Sequence, residues 1–215
     1  MLERISRRER YDLIIAWFAI SIAFSLAFTG GVGVWMGNPI QETTLGTYLV
    51  FLVLSMVTVG IGFVLHELAH KFTAMHFGYW AEFRKDNLML LVAVVLAALV
   101  GLVFAAPGAT MIYGSGVTRE QNGKISAAGP LTNLALCIPF AVLLLVSTAL
   151  DPTTSYGGLL TMAGIVGLQV NAMIAAFNLL PISVLDGKKV LAWNPAVFAI
   201  LIVAAFGLLI GTFYL

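Results

Sequence analysis

The sequence predicts an all-α polytopic membrane protein, with five or six transmembrane helices and a membrane-dipping hairpin that contains a short β segment. Its 215 residues are 60% hydrophobic and only 10% charged, whereas a soluble domain has about 25% charged residues. Apolar strips long enough to cross a bilayer as helices, about 20 residues each, occupy most of the chain. We therefore expect residues 1–215 to form a single membrane domain with almost no aqueous portion.

Six apolar strips follow one another along the chain, and the basic residues lie between some of them. The strips are Leu13–Trp35, Thr47–Leu65 running on to Phe77, Leu88–Met111, Ile125–Val146, Leu159–Leu180 and Ala196–Leu215. The basic residues are Arg4–Arg10, Lys71 with Arg84 and Lys85, Arg119 with Lys124, and Lys188–Lys189. By the positive-inside rule, these basic places and the amino terminus face the cytoplasm. We expect a multi-pass protein of the cell membrane, surrounded by lipid bilayer and without a nucleic-acid partner.

The third strip, Leu88–Met111, is predicted to dip into the membrane and return to the same side. If it crossed, the later basic residues would lie outside, against the charge rule. Its first part, Leu88–Phe104, is helix-like, Ala105–Ala109 contains a Pro-Gly break, and Thr110–Tyr113 has the β-branched and aromatic character of a strand. A sixth ordinary transmembrane helix is the alternative.

Three titratable residues, His66, Glu67 and His70, lie together inside the second apolar strip. An uncompensated charge near a bilayer centre costs several kcal/mol, so such a cluster indicates function. His66 and His70 are one turn apart on one helix face and can bind a single zinc ion. Glu67 points about 100° round the helix, within reach of a water on that metal. Two buried histidines that bond backbone carbonyls are the alternative.

A catalytic zinc needs a third protein ligand besides two histidines. Asp151 and Asp186 are the acidic residues after Glu120, and Asp151 belongs to an outward connection. With a hairpin at the third strip, Asp186 returns to about the depth of the two histidines. Pro181 opposes helix, so we expect the chain to unwind between Asn178 and Asp186. An interfacial turn residue is the alternative role for Asp186.

Three short segments share the order and spacing of a family pattern. They are His66-Glu67-Leu68-Ala69-His70, Gly129-Pro130-Leu131-Thr132-Asn133 and Asn178-x-x-Pro181-x-x-x-Leu185-Asp186-Gly187. Together they resemble the three signatures of the site-2 protease family, which are intramembrane zinc metalloproteases. The resemblance extends over residues 47 to 189, which would be the catalytic core.

The resemblance implies hydrolysis of a peptide bond within or near transmembrane helices of a membrane-protein substrate. The implied zinc ligands, for one Zn²⁺ ion, are His66, His70 and Asp186. Glu67 would be the general base acting on a zinc-activated water, and Asn133 and Asn178 would hold the substrate strand or the oxyanion. Thr110–Tyr113 could pair with an extended substrate as an added strand. We expect the active site to open to the cytoplasm.

Two other classes of function remain open from the sequence. In a metal transporter or sensor, intramembrane His and Asp residues would hold an ion in transit, but several ligand sets along a path would then be expected. A non-proteolytic relative would bind membrane helices without cutting them. The glutamate next to His66 favours catalysis over both.

Overall fold

The computed structural model describes residues 4–31, 44–101, 103, 107–150 and 154–215. Five helical stretches in these residues are long and apolar enough to cross a membrane: Arg7–Gly30, Leu45–His76, Arg119–Ser147, Tyr156–Asn178 and Pro195–Tyr214. The chain is thus an all-α, multi-pass membrane protein, as predicted. Some residues named above lie outside the described ones, namely Trp35, Phe104, Ala105, Ala106 and Asp151.

The α-helices of the described residues are α1 (Arg7–Leu26), α2 (Leu45–Ser55), α3 (Ile61–His76), α4 (Asn87–Val100), α5 (Arg119–Ser147), α6 (Ser155–Asn178), α7 (Asp186–Trp193) and α8 (Pro195–Gly211). Two strands, β1 (Trp80–Lys85) and β2 (Gly108–Tyr113), form a sheet. A π-helical turn joins α2 to α3, so both belong to one span. The chain divides into two compact units, Met1–Val64 with Glu82–Met111 and Leu65–Ala81 with Ile112–Leu215. The single domain remains a prediction.

In the first unit, the first span packs against α4 through small side chains. Ala23 and Ala27 meet Ala93 and Ala97 of α4, and all four are buried. Small residues let helix backbones approach closely in a membrane. These alanines therefore hold α4 beside the first span.

The first and last residues of the segment from Asp86 to Pro107 are hydrogen-bonded neighbours. The Asp86 side chain caps α4 by accepting hydrogen bonds from two amides of its first turn, and α4 ends at Gly101, whose φ of 69° favours glycine. The backbone amide of Asp86 donates to the carbonyl of Pro107 at 2.9 Å. The 14 residues of α4 extend about 21 Å. Because its two ends meet, the segment is a hairpin, as predicted, and the alternative of a sixth span is not supported.

The predicted short β segment is present as β2, which begins at Gly108 rather than Thr110. The two strands run antiparallel, since the residue after β1 bonds the residue before β2. The Glu9 carboxylate of α1 accepts a hydrogen bond from the backbone amide of Phe83 in β1 at 3.0 Å. The first turn of α1 thereby holds β1.

In the second unit, α5 and α6 pack closely where α6 has a glycine. A side chain at Gly167 would overlap the ring of Phe140 on α5. A buried apolar cluster then joins α5 and α6 to α7 and α8: Ala127, Ala175, Ala176, Leu179, Val190, Leu201 and Ala205. This core fixes α7, which begins with Asp186, against the long helices.

Between α6 and α7 the chain unwinds, as predicted from Pro181. Helix α6 ends at Asn178 and α7 begins at Asp186. Ser183, in this connection, has a φ of 50°, which few residues with a side chain adopt. Gly187 lies so close to the carbonyl of Leu179 that a Cβ would overlap it. The sharp return therefore places Asp186 directly beside the end of α6.

Candidate metal centre

Three buried side chains of the second unit converge on one point, as the sequence predicts. The Nε2 atoms of His66 and His70 are 3.0 Å apart. Oδ2 of Asp186 lies 3.4 Å from Nε2 of His66 and 3.1 Å from Nε2 of His70. Each residue is 8% exposed or less. Among the residues that the structure describes, they form the one group of three such side chains able to hold a metal ion.

The three separations fit a zinc ion. Zinc binds imidazole nitrogen and carboxylate oxygen at about 2.0–2.1 Å in tetrahedral geometry, which separates neighbouring ligand atoms by about 3.3 Å. The observed separations of 3.0, 3.1 and 3.4 Å lie close to that value. Two imidazoles and one carboxylate are also a ligand set that leaves the fourth position open, as catalytic zinc sites do.

The other ring nitrogens of the two histidines are held by neighbouring groups. Nδ1 of His66 lies 2.6 Å from Oδ1 of Asn133, and Nδ1 of His70 lies 2.7 Å from the carbonyl oxygen of Ile125. Such bonds orient metal-binding histidines and fix their tautomer. The alternative of two histidines satisfied by backbone carbonyls explains one nitrogen of His70, but it does not explain why both Nε2 atoms face Asp186.

Asp186 is the first residue of α7, where the helix dipole favours a negative charge. Burial alone would raise the pKa of its carboxyl group, but the imidazoles of His70 and His66 lower it by more, so the pKa lies below the ordinary value. Nζ of Lys189, one turn along α7, lies 3.8 Å from Oδ1. Asp186 is therefore held as a carboxylate, the form that binds metal.

Gly129 leaves room for the imidazole rings of His66 and His70, because it has no side chain. A Cβ at this position of α5 would lie 2.5 Å from Nε2 of His66 and 2.5 Å from Nε2 of His70. A glycine here lets the α5 backbone approach the converging nitrogens, which leaves a small cradle over the ligand atoms. The segment Gly129 to Asn133, singled out in the sequence, thus contributes both the cradle and the partner of His66.

Glu67 is buried on α3 and lies close enough to His70 to interact with it electrostatically. The sequence predicts only that Lys71 lies towards the cytoplasmic side, and in the structure its side chain is fully buried. Its ammonium group lies 5.3 Å from the centre of the Trp80 ring, within the range of a cation–π contact. A lysine can therefore be accommodated beside the two histidines without exposure.

Three asparagines bear on the predicted site, and the structure connects two of them to His66. Asn133 accepts from His66, as above, and its Nδ2 donates to Oδ1 of Asn171 at 3.0 Å. Sequence reasoning missed Asn171, which is fully buried on α6. Asn178 donates to the carbonyl of Ile174 on its own helix at 3.0 Å. The substrate-binding roles of Asn133 and Asn178 remain predictions.

Two known proteins are similar to the chain. It is 40% identical over 197 residues, or 92% of this chain and 90% of the relative, to the Methanocaldococcus jannaschii protein named "Putative zinc metalloprotease MJ0611". It is 26% identical over 145 residues, or 63% of this chain and 66% of the relative, to the Bacillus subtilis protein named "Putative zinc metalloprotease YwhC". No protein-family model and no solved structure matches the chain.

Proposed function

Because the chain belongs to the zinc metalloprotease family that these relatives represent, we propose that it is an intramembrane endopeptidase of the site-2 protease type. One observation carries the proposal. The ligand atoms of His66 and His70 lie in a 32-residue candidate membrane span and converge on Asp186. A hydrolytic centre within a span is suited to peptide bonds inside or near transmembrane helices, so the proposed substrate is a membrane protein.

In the proposed reaction, zinc supplies Lewis acidity, which polarises a carbonyl and makes water a nucleophile at neutral pH. The proposed ligands are His66, His70 and Asp186. Glu67 acts as the general base: its carboxylate takes a proton from the attacking water as the new C–O bond forms. Glu67 then gives that proton to the amide nitrogen as the C–N bond breaks. The products are a carboxylic acid and an amine.

Two side-chain amides are candidates for contacts with the substrate. A carboxamide has two N–H donors, and the contact between Asn178 and Ile174 uses one of them. Asn133 is tied to two buried side chains, which favours a positioning role. We therefore keep Asn178 as the candidate that holds the substrate strand or the oxyanion, and assign Asn133 to the support of His66.

The substrate must be extended locally before it is cut, because the carbonyls of a helix are already hydrogen-bonded. We propose that the segment Thr110–Tyr113 pairs with it as an added strand. Within the second unit, Ile112 of β2 packs against a cluster that contains Ala74 and Ile125. Ala74 follows His70 by one turn of α3, and the Ile125 carbonyl holds the His70 ring. The end of β2 is thus packed on residues that support the metal centre.

The proposed orientation follows the basic residues. Arg7 to Arg10 begin the first span, and Lys188 and Lys189 follow Asp186 on α7. By the positive-inside rule these residues face the cytoplasm. The amino terminus and the opening of the active site are therefore proposed to lie on the cytoplasmic side of the cell membrane.

The test compares purified wild type with Glu67→Gln on a transmembrane peptide substrate, together with the zinc content of each. Glutamine cannot act as a base, so cleavage should fall by about 10²–10⁴-fold, the usual contribution of general acid–base catalysis, with zinc retained. Wild type that binds zinc but cuts no membrane substrate would favour a non-proteolytic helix binder. Metal transport that survives the substitution would favour a transporter.

A further inference from the structure

The charged side chains that reach the surface of the second unit are mostly basic. In the part of this unit that the structure describes, they are Arg119, Lys124, Lys188 and Lys189, with Glu120 as the acid among them. The other charged side chains described there, those of Glu67, Lys71 and Asp186, are buried. The surface around the start of α5 and along α7 therefore has a net positive charge.

Lys124 and the end of α7 are held together by a close contact between two helices. A Cβ at Gly123 would lie 2.2 Å from the Cβ of Trp193, so the first turns of α5 touch α7 directly. Nζ of Lys124 lies 5.9 Å from the centre of the Trp193 ring, within the range of a cation–π contact. Lys189 precedes Trp193 by four residues, so both lie on the same flank of α7. Two lysines from two helices are thus neighbours of one indole ring.

The same residues mark the level at which charge ends along two spans. Helix α5 has no charged residue between Lys124 and its end at Ser147, and the chain has no charged side chain after Lys189. Lys124 lies in the first two turns of the span that begins at Arg119, and Trp193 lies two residues before the span that begins at Pro195. Lysine and tryptophan at the ends of spans lie at the level of the lipid headgroups. The anions present at that level are lipid phosphates.

We propose that this surface, formed by Lys124, Lys189 and Trp193, binds the headgroup of an anionic phospholipid. Each lysine ammonium group has three N–H donors for phosphate oxygens, and basic pockets between transmembrane helices bind anionic headgroups. The indole ring lies beside the lipid below its phosphate, and the acyl chains lie along the apolar remainder of α5 and α8. None of the three residues has a role in the proposed reaction, so this proposal does not depend on the proposed function.

The acidic neighbours of the two lysines leave both ammonium groups able to bind a phosphate. Lys124 pairs with Glu120, but these side chains are 42% and 63% exposed, and exposed ion pairs contribute only about 0–1 kcal/mol. Nζ of Lys189 lies 3.8 Å from Oδ1 of Asp186, which is longer than a hydrogen bond. A phosphate can therefore approach both lysines without breaking a strong contact.

The test measures the binding of two phospholipids to the full chain in detergent by native mass spectrometry. Phosphatidylglycerol has a net negative headgroup, whereas phosphatidylcholine has a phosphate but no net charge. The variants are Lys124→Gln, which leaves the metal centre untouched, and Lys124→Gln combined with Lys189→Gln. The matched control is Arg7→Gln combined with Arg8→Gln, which removes two exposed basic residues at the start of the first span.

The expected result is a stepwise loss of preference for the anionic lipid. With about 1 kcal/mol from each lysine, wild type should bind phosphatidylglycerol about 30-fold more tightly than phosphatidylcholine. Lys124→Gln should lower this preference about fivefold, and the double lysine variant should bind the two lipids alike. The arginine control should keep the wild-type preference.

Several results would overturn the proposal. Equal binding of the two lipids by wild type would do so, and so would an arginine control that loses the preference as fully as the double lysine variant, because the attraction would then be a general effect of positive charge. Inorganic phosphate that displaces phosphatidylglycerol at equal concentration would show a site for a soluble anion instead.

The single variant keeps the proposal falsifiable if the double variant does not fold. Lys124 is exposed and lies outside the metal centre, so a Lys124→Gln protein with the wild-type lipid preference would refute the site by itself. Zinc content and peptide cleavage play no part in these measurements, so a failure of the proposed function would be a separate result.

Discussion

At the scale of single residues, the metal centre depends on Gly129, because a glycine has no side chain to fill the space beside the two imidazoles. Gly129 faces both converging nitrogens, and the helix that carries it also carries Asn133, one turn further along. Any side chain at Gly129 would have to displace an imidazole or the α5 backbone. Close packing of this kind responds to a change of one methyl group.

Gly129→Ala is therefore expected to weaken zinc binding by about 10–100-fold, the range found when the support of metal ligands is disturbed. The control is Gly207→Ala on α8, where a Cβ would meet no atom within 4 Å. Zinc affinity is measured for both by chelator competition. Equal affinities in the two variants would contradict the close approach of α5 to the histidines.

The convergence of His66, His70 and Asp186 could be predicted from the sequence, but the hydrogen bond between Asn133 and Asn171 could not. Spacing fixes His66 and His70 on one helix face, and the order of spans brings Asp186 to their depth. Asn171 has no such spacing signal. Its partner Asn133 is 38 residues away on another helix, so only the packing of α5 on α6 makes them neighbours.

Lys71 illustrates a second limit of sequence reasoning. The charge rule predicts which side of the membrane a lysine faces, but it does not predict that Lys71 is fully buried beside the Trp80 ring. The rule concerns where a charge lies along the chain and says nothing of the side-chain direction. That direction depends on the sharp turn from α3 into β1, which brings Trp80 back over the helix end.

At the scale of elements, helix α7 is held tightly near both ends. Gly187, next to Asp186, touches the backbone of Leu179, and Gly123 of α5 lies against Trp193 so closely that a Cβ would overlap it. Both contacts require glycine. The backbone packing of α7 therefore determines the position of the Asp186 carboxylate.

Gly187→Ala should destabilise the protein by about 1–3 kcal/mol, as overpacking of a close contact does. It should also reduce zinc binding, because α7 must shift. Gly211→Ala, at a position with open space around a Cβ, is the control. Thermal unfolding in detergent measures the effect, and a melting temperature for Gly187→Ala equal to that of the control would refute this account of α7.

The β2 edge gives an element-level prediction for the substrate. Ile112→Pro removes an amide hydrogen from the strand and opposes β pairing, so cleavage should be lost while zinc content stays at the wild-type level. Ile112→Val keeps the backbone amide and should keep turnover. Peptide cleavage and zinc content are measured for both variants. Unchanged turnover by Ile112→Pro would count against strand addition.

The hairpin could be predicted in kind, although its boundaries differ. The Pro-Gly break and the basic residues on both sides indicate a return, but α4 ends at Val100, before the predicted end of the helix-like part. Gly101 ends the helix because its positive φ reverses the chain. Strand β1 was not predicted, since Trp80–Lys85 is short and mixed in polarity, and it becomes a strand only by pairing with β2.

At the scale of the whole molecule, the topology depends on the number of crossings. With five spans and one hairpin, the proposed orientation would keep Arg119 and Asp186 on the side of the amino terminus. Hydropathy predicts the spans well because each helix must be apolar over a length that matches the hydrocarbon thickness of the bilayer. The division into two compact units could not be predicted, since it depends on which helices pack together.

A labelling experiment tests this topology, in a background without the lone cysteine, Cys137. A cysteine at Glu120, beside Arg119, should react with a membrane-impermeant reagent only from the cytoplasmic side. A cysteine at Tyr156, which is 81% exposed at the start of the fourth span, should react only from outside. Outside labelling at position 120 would contradict the hairpin and the proposed orientation together.

The zinc content of the purified protein tests most directly whether His66, His70 and Asp186 share one zinc ion. Wild type and Glu67→Gln should each contain one zinc ion per chain, because Glu67 is not a proposed ligand. Asp186→Ala should lose most of its zinc, since the third ligand is removed from a centre that needs three. If Asp186→Ala kept its zinc at the wild-type level, the two histidines and this aspartate would not share one ion.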